Sequence, residues 1–349
     1  MAPDSAKQHS VFNLVATVAA YLTLNSTLNL MNKWLLGIYG FSFPLLLTSC
    51  HMLFSFLILL PFMMREPFKS LHAATLQKQW KGIIGIGLFM AVNIAFNNLS
   101  LVQITLSLNQ VIRSFIPVIC CLLAIGIENK IPIGKEIGSL VILSLGVMIA
   151  VWEGSVNGSP HGIMLCIVGT VCNAAMMSTS GRILSEKLDV LRLAFYTAPV
   201  SCIALFPFCY FRESARFMTY SQGQSVIVTA IILVGSVNAL SYNVVHYLMI
   251  QMTSAVTTTV LGEVKIIGLL VLSVLLLGEK SMFTTRMTVG VVLAVAGFCL
   301  YSHCKLSLQR RPAAPIIKGV PDLIDPGFRL NNTQAGKFSF GRKSVINIQ

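Results

Sequence analysis

The sequence predicts an all-α membrane protein with ten transmembrane helices, arranged as two inverted five-helix repeats with both termini in the cytoplasm. Three observations support this fold class: the composition, the length of the apolar runs, and a repeat between the two halves of the chain. Of the 349 residues, 55% are hydrophobic and 11% are charged, whereas soluble domains average about 25% charged residues. This composition excludes an ordinary water-soluble domain.

Apolar runs long enough to cross a bilayer define the predicted helices. Crossing about 30 Å of hydrocarbon takes roughly 20 helical residues. Ten suitable runs are present, at residues 11–32, 43–63, 82–102, 104–127, 137–151, 162–184, 191–210, 225–250, 253–277 and 287–303. We therefore divide the chain into a cytoplasmic amino terminus (1–10), a first repeat (11–151), a second repeat (152–304) and a disordered basic cytoplasmic tail (305–349).

The positive charge follows the connections between these runs. With the amino terminus in the cytoplasm, 18 Lys and Arg residues lie on the cytoplasmic side and 5 on the other side. This asymmetry is the positive-inside pattern of membrane proteins. The net charge of +13 is thus a topology signal and does not indicate nucleic-acid binding; the partner expected of the basic tail is anionic membrane lipid.

The two halves of the chain resemble each other around the fifth and tenth runs. "IENKIPIGKEIGSLVILSLGVMIAV" and "LGEKSMFTTRMTVGVVLAVAGFCLYS" align Glu128 with Glu279 and Gly138 with Gly290. Because each half has five spans, the second half enters the membrane in the opposite direction. Inverted repeats are typical of secondary transporters, which bind substrate near the midplane. The alternative is a chance likeness between two amphipathic helix-turn-helix segments.

Two basic residues, Arg113 and Lys265, lie inside apolar runs at equivalent places in the repeat, 152 positions apart. A charge near the bilayer centre costs about 2.5–3.5 kcal/mol on insertion scales, and two cations in one cavity repel unless an anion lies between them. The pair therefore predicts a site for an anionic substrate. The alternative is internal neutralisation by Glu263, either beside Lys265 or by pairing with Arg113 across the bundle.

Polar side chains accompany these cations in the first, third and eighth runs, and those of the first run are Asn25, Asn29 and Asn32. Asn98 follows "NIAFN", and Asn238 and Tyr242 belong to "NALSYNVVHY". Buried amides need hydrogen-bond partners, either from neighbouring helices or from a ligand. Tyr242 is the strongest candidate among them, since a phenol can donate to a phosphate and stack on a base or a sugar. His51 and His246 are interpreted as packing residues.

Several of these segments together resemble one family. "LNLMNKWLL" with "FPLLLTSCHM", "NNLSLVQITLSLNQVIRSFIP" and "SYNVVHYLMIQMTSAVTTTVLGEVK" are similar to the triose-phosphate and nucleotide-sugar translocators of the drug/metabolite transporter superfamily. The resemblance covers about residues 11–306 and implies ten helices, cytosolic termini and exchange of phosphorylated metabolites at a central site. It implies that Arg113 takes the place of a phosphate-binding lysine, that Tyr242 matches a phosphate-binding tyrosine, and that Lys265 matches the ninth-span basic residue.

Departures from the family pattern narrow the expected substrate. Triose-phosphate carriers have an arginine after the ninth-span lysine, where this chain has Ile266, and their third-span histidine and threonine positions hold Ile94 and Asn97. These differences favour the nucleotide-sugar branch, and the absence of a "GALNK"-type signature favours a UDP-sugar over GDP-mannose.

We therefore expect an antiporter that moves a UDP-sugar into the Golgi or ER lumen in exchange for a nucleoside monophosphate. The diphosphate would lie between Arg113 and Lys265, with Tyr242 donating a hydrogen bond and Asn98 and Asn238 holding the uridine and sugar. No cofactor or metal is expected, and a homodimer is left open. The alternatives are a plastid-type sugar-phosphate/phosphate translocator and, from another class, a multi-pass membrane enzyme. The enzyme is disfavoured because the non-cytoplasmic loops are short and offer few acidic or histidine groups, namely Glu153, Glu213, Glu279 and His161.

Overall fold

A computed structural model describes residues 3–35, 39–152, 159–222, 225–277 and 284–309, and these residues are almost entirely helical. The helices within the described ranges are α1 (Pro3–Lys33), α2 (Pro44–Met63), α3 (Phe68–Leu101), α4 (Leu106–Arg113), α5 (Ile116–Ile127), α6 (Gly134–Val151), α7 (Pro160–Ser185), α8 (Val190–Ser221), α9 (Ser225–Met252), α10 (Ala255–Leu277) and α11 (Thr285–Gln309).

The membrane-spanning class predicted from the sequence is confirmed. Within the described ranges, nine helical segments are long and apolar enough to cross a bilayer, with α4 and α5 counted together as Leu106–Ile127. The remaining predicted span, residues 253–277, coincides with α10. Helices suit this composition because every backbone N–H and C=O is satisfied inside the segment, which lipid requires.

Several helices continue beyond the predicted apolar runs. α3 begins at Phe68, α8 ends at Ser221 and α1 begins at Pro3. A helix keeps its own hydrogen bonds on leaving the hydrocarbon, and Lys, Gln and Arg are good helix formers, so hydropathy marks the lipid-facing part and not the helix ends.

The predicted start of a disordered tail at residue 305 is wrong, because α11 continues to Gln309. Lys305 forms an ion pair from Nζ to Oε1 of Glu136 at 2.6 Å, which holds this end of α11 against α6. Residues 310–349, together with Glu279 and residues 1–2, lie outside the described residues.

The fourth predicted span is broken in its middle, and Arg113 lies at the break. α4 ends at Arg113 and α5 begins at Ile116. In an unbroken helix the Arg113 carbonyl would accept a hydrogen bond from the N–H of residue 117, but Pro117 has no N–H and its ring clashes with that carbonyl. Pro117 therefore explains why the helix breaks directly after Arg113.

The helices pack in pairs that join the two halves of the chain. α1 lies along α9, α2 along α8, α3 along α7, and α6 along α11. The contact between α6 and α11 is especially close, because a Cβ added to Gly146 would lie 2.2 Å from the backbone nitrogen of Ala294, and one added to Gly290 would lie 2.4 Å from that of Ala150. Small residues permit this approach in membranes. All nine cysteines are free.

Candidate functional site

Arg113 is held by amide side chains of the first half of the chain. Its Nη1 donates to Oδ1 of Asn93 at 3.1 Å and to Oδ1 of Asn97 at 3.2 Å. Oδ1 of Asn97 also accepts from Nδ2 of Asn109 at 3.0 Å. The guanidinium is thus oriented by neutral acceptors, which fix its position and leave its positive charge uncompensated.

The sequence of α3 and α4 explains this arrangement. Asn93 and Asn97 are one turn apart on α3, and Asn109 and Arg113 are one turn apart on α4, so each pair shares a helix face. Ser100, on the same face of α3, accepts from Nδ2 of Asn109 at 2.9 Å. The two polar faces meet where α4 ends.

Lys265 is bound by an amide of the first helix. Its Nζ donates to Oδ1 of Asn25 at 2.9 Å, and Nδ2 of Asn29 donates to the same oxygen at 2.8 Å. As with Arg113, the partner of the cation is neutral, so the charge of the ammonium group is not cancelled.

Tyr242 belongs to the polar cluster around Lys265. Its ring stacks on that of Tyr21, with centroids 6.1 Å apart and planes inclined by 28°. Its hydroxyl lies 3.3 Å from Nδ1 of His246. Tyr21 lies one turn before Asn25 on the same face of α1, so the ring on which Tyr242 stacks belongs to the helix face that binds Lys265.

The charges of the two cations act on each other and on one carboxylate. Arg113 and Lys265 interact electrostatically, and both interact with Glu263 of α10. Among the described residues, ion pairs within 4 Å join Lys130 to Glu128, Arg182 to Glu186 and Lys305 to Glu136. Neither Arg113 nor Lys265 forms a contact ion pair with Glu263, so direct neutralisation of either cation by this carboxylate is absent from the described part of the chain.

The two predicted amides differ in their surroundings. Asn238 lies one turn before Tyr242 on the same face of α9, and its Nδ2 is buried with no hydrogen-bond partner among the described residues. Asn98 is half-buried, and its side chain makes no hydrogen bond to any described residue. Because Asn98 follows Asn97 by one position, it points to a different side of α3 from the residues that hold Arg113.

Sequence reasoning missed Tyr21 and Asn109, and it grouped Asn25 and the segment that contains Asn93 with the cations without giving them a substrate-binding role. A signal for them exists: polar side chains recur at every fourth position in Tyr21, Asn25 and Asn29, and again in Asn238, Tyr242 and His246. Such spacing aligns polar groups along one face of an otherwise apolar helix, and that face must turn towards the bundle interior.

A small cavity of about 10 Å³ lies nearby, between α2, α3, α8 and α9. It is lined by residues that include Ser55, Thr197, Asn243 and Tyr247, and it has room for about one water molecule. None of the five predicted site residues lines it. In the described ranges, no three His, Cys, Asp or Glu side chains are grouped so that they could hold a metal ion.

Comparison with known proteins places the chain in a family of membrane transporters. The sequence profile of the Triose-phosphate Transporter family matches residues 12–302. The UDP-uronic acid transporter 1 of Arabidopsis thaliana is 29% identical over 86% of this chain and 98% of its own length. A probable sugar phosphate/phosphate translocator of the same plant is 30% identical over 82% of each chain.

Among solved structures, one crystal structure has the same fold, with a TM-score of 0.59 over 84% of this chain and 98% of the other. At 12% identity this likeness concerns the fold alone. The match of the family profile covers most of the chain, including Arg113, Tyr242 and Lys265. The chain therefore belongs to the triose-phosphate transporter family of membrane transport proteins.

Proposed function

We propose that the protein is an antiporter that exchanges a UDP-sugar for a nucleoside monophosphate across a Golgi or ER membrane. The observation that carries the proposal is the pair of intramembrane cations, Arg113 and Lys265, one from each half of the chain. Both are held by neutral amides, so their charge is left to attract an anion that is not part of the protein. The similarity to a UDP-uronic acid transporter over nearly its full length supports a nucleotide sugar as that anion.

The substrate-binding roles differ between the two cations. An arginine can bind a phosphate through two parallel hydrogen bonds, whereas a lysine acts as a flexible point charge. Arg113 is held by two amides at the helix break, and Lys265 by one. In this proposal Arg113 is the fixed phosphate anchor and Lys265 the releasable one, while Tyr242 donates a hydrogen bond and Asn98 and Asn238 bind the uridine and sugar.

The packing supports the proposed inverted repeats. Counted as predicted spans, α1 is the first and packs on α9, the eighth, while α3 is the third and packs on α7, the sixth. Exchanging the two halves turns the first span into the sixth and the eighth into the third, so the pair of α1 and α9 becomes the pair of α3 and α7. In the same exchange α2 and α8 trade places, and so do α6 and α11, so these two pairs stay the same. A pseudo-two-fold relation between the halves would produce this pattern and would place Arg113 and Lys265 at related positions.

Alternating access would follow from the same arrangement. Two cations in the low dielectric of a bundle repel each other, and a phosphate group between them removes the repulsion. Closure of the halves around the substrate is then favoured over closure of the empty carrier, which couples the transport of one anion to the return of another. The proposal keeps both termini in the cytoplasm and leaves a homodimer open.

The proposal can be tested with purified protein in liposomes preloaded with UMP, by measuring the uptake of radiolabelled UDP-glucuronic acid. We expect Arg113→Ala and Lys265→Ala each to lose about tenfold or more of the uptake, because a hydrogen bond to a charged group contributes about 1.5–3 kcal/mol. Arg65→Ala and Lys81→Ala, which remove exposed cations, are the matched controls. Uptake at the parent rate in both site variants would refute the proposed site.

The sugar-phosphate translocators among the relatives support a second candidate, the exchange of a small sugar phosphate for inorganic phosphate. The same liposomes, preloaded with inorganic phosphate and offered triose phosphate, separate the two functions. For a nucleotide-sugar carrier we expect UDP-glucuronic acid to exchange with UMP, and an excess of triose phosphate to leave this uptake unchanged. Exchange of triose phosphate with inorganic phosphate alone would favour the second function.

A further inference from the structure

Among the residues that the structure describes, Glu263 is the carboxylate that acts on both cations, and its environment is unusual. The residue lies on α10, two positions before Lys265, and its exposed fraction is 5%. Its Oε2 atom is buried and has no hydrogen-bond partner among the described residues. Buried polar atoms are nearly always hydrogen-bonded, so this carboxylate oxygen lacks the compensation that burial normally requires.

The charged and titratable groups around Glu263 come from three neighbouring helices. Arg113 of α4 and Lys265 of α10 itself act electrostatically on Glu263. Glu263 in turn acts on Tyr21 of α1. Tyr242 and His246 of α9 contact the Tyr21 ring in turn. Glu263 is therefore a counter-charge that offsets part of the charge of the two cations from a distance, without forming a contact ion pair with either.

The charge of the site changes sign when an anion binds. Arg113, Lys265 and an ionised Glu263 leave one positive charge in excess. The diphosphate of a UDP-sugar brings two negative charges, so the occupied site would carry an excess negative charge in a medium of low dielectric, where an uncompensated charge is costly. A proton on Glu263 restores neutrality to the group formed by the diphosphate, the two cations and Glu263, and it turns the orphaned oxygen into a hydrogen-bond donor.

We infer that Glu263 takes up one proton from solution when the substrate phosphates bind to Arg113 and Lys265, so that this carrier binds its anion together with a proton. The inference rests on the proposed anion site. The proton comes from water on the side that is open to the substrate, adds to a carboxylate oxygen and returns to water when the anion leaves. No bond of the substrate breaks.

The test measures binding of UDP-glucuronic acid to the purified full-length protein by titration calorimetry, between about pH 6 and about pH 8, in buffers of different ionisation enthalpy. The diphosphate diester and the carboxylate of this probe stay ionised throughout the range, so a change in binding reports on the protein. For the parent we expect proton uptake that grows towards one proton per molecule bound as the pH rises, and a Kd that rises with pH by up to about tenfold per pH unit.

The variant Glu263→Gln mimics the protonated side chain. We expect it to bind the probe without proton uptake, with a Kd that no longer changes with pH and that is lower than the parent's at about pH 8. Glu263→Asp retains the titratable group and should retain the pH dependence, as should His246→Gln, which removes an imidazole that contacts the Tyr21 ring.

The outcomes separate the inference from the proposed function. A parent that binds neither UDP-glucuronic acid nor UMP refutes the anion site itself. A parent that binds the probe with no proton uptake, or a Glu263→Gln protein that keeps the pH dependence, overturns the role of Glu263 alone. Should Glu263→Gln fail to fold, loss of the pH dependence in Glu263→Ser supports the inference and its persistence overturns it.

Discussion

Nζ of Lys265 donates a hydrogen bond to Oδ1 of Asn25 at 2.9 Å, although 240 residues separate the two along the chain. This bond joins the ninth predicted span to the first, and it supplies the cation with a neutral acceptor. A membrane bundle that paired Lys265 with a carboxylate would leave no charge for a substrate. The choice of an amide at this position is therefore the local feature on which the proposed anion binding depends.

Replacing Asn25 with aspartate tests this interpretation. Asn25→Asp places a carboxylate beside Lys265, and the resulting ion pair competes with the phosphate. We expect the affinity for UDP-glucuronic acid to fall by about tenfold or more, which corresponds to about 1.4 kcal/mol. Equilibrium binding to the detergent-solubilised protein provides the measurement. Asn13→Asp, at an exposed position on the same helix, is the control and should bind as the parent does; equal affinities in the two variants would contradict the prediction.

The proline after the α4–α5 break gives a second prediction. Pro117→Ala restores the N–H that would pair with the Arg113 carbonyl, so α4 and α5 can join and displace the guanidinium from its amides. We expect liposome uptake to fall by about tenfold, since a shift of about 1 Å in a positioned group has large effects, while the thermal unfolding midpoint stays equal or rises. Pro61→Ala, within α2, is the control. Parent-level uptake by Pro117→Ala would show that the break does not position Arg113.

A third prediction concerns Glu213, whose side chain caps the beginning of α2. Its Oε1 and Oε2 accept from the backbone nitrogens of Leu45 and Leu46 at 3.0 and 2.7 Å, and the residue is 5% exposed. Glu213→Ala leaves these N–H groups without acceptors, so we expect about 1–3 kcal/mol lower stability and a lower midpoint of thermal unfolding. Glu186→Ala, which removes an exposed carboxylate, should change stability by less than about 0.5 kcal/mol. Similar midpoints for the two variants would argue against the cap.

The contact between α6 and α11 provides a fourth prediction. The Cβ of Gly146→Ala would lie 2.2 Å from the backbone nitrogen of Ala294, and a backbone atom cannot move aside as a side chain can. We expect a loss of about 1–3 kcal/mol in stability, visible as a lower thermal midpoint. On the same helix, a Cβ at Gly138 would meet nothing within 4 Å. Gly138→Ala should therefore be neutral or slightly stabilising, and a loss of stability there equal to that of Gly146→Ala would disprove the steric explanation.

Much of the candidate site was predictable from spacing alone. Arg113 and Lys265 are conspicuous because a charge inside an apolar run is rare, and Tyr242 because it stands among polar residues spaced by one helical turn. The same spacing rule, applied to α1, would have added Tyr21 to Asn25. Asn98 shows the limit of the method, since its neighbour Asn97 holds Arg113 while the Asn98 side chain makes no hydrogen bond to a described residue.

The sequence by itself determined the membrane-spanning helices and the presence of two intramembrane cations. These features are local, because in lipid each segment satisfies its own backbone and needs only length and hydropathy to be a helix. The tertiary structure decided which side chains meet. Asn25 and not Glu263 binds Lys265, and the amides of Asn93, Asn97 and Asn109 form one network with Arg113 at the end of α4. Glu213 of α8 caps the beginning of α2. Such pairings depend on the rotation and the contact partner of every helix at once, and no single segment contains that information.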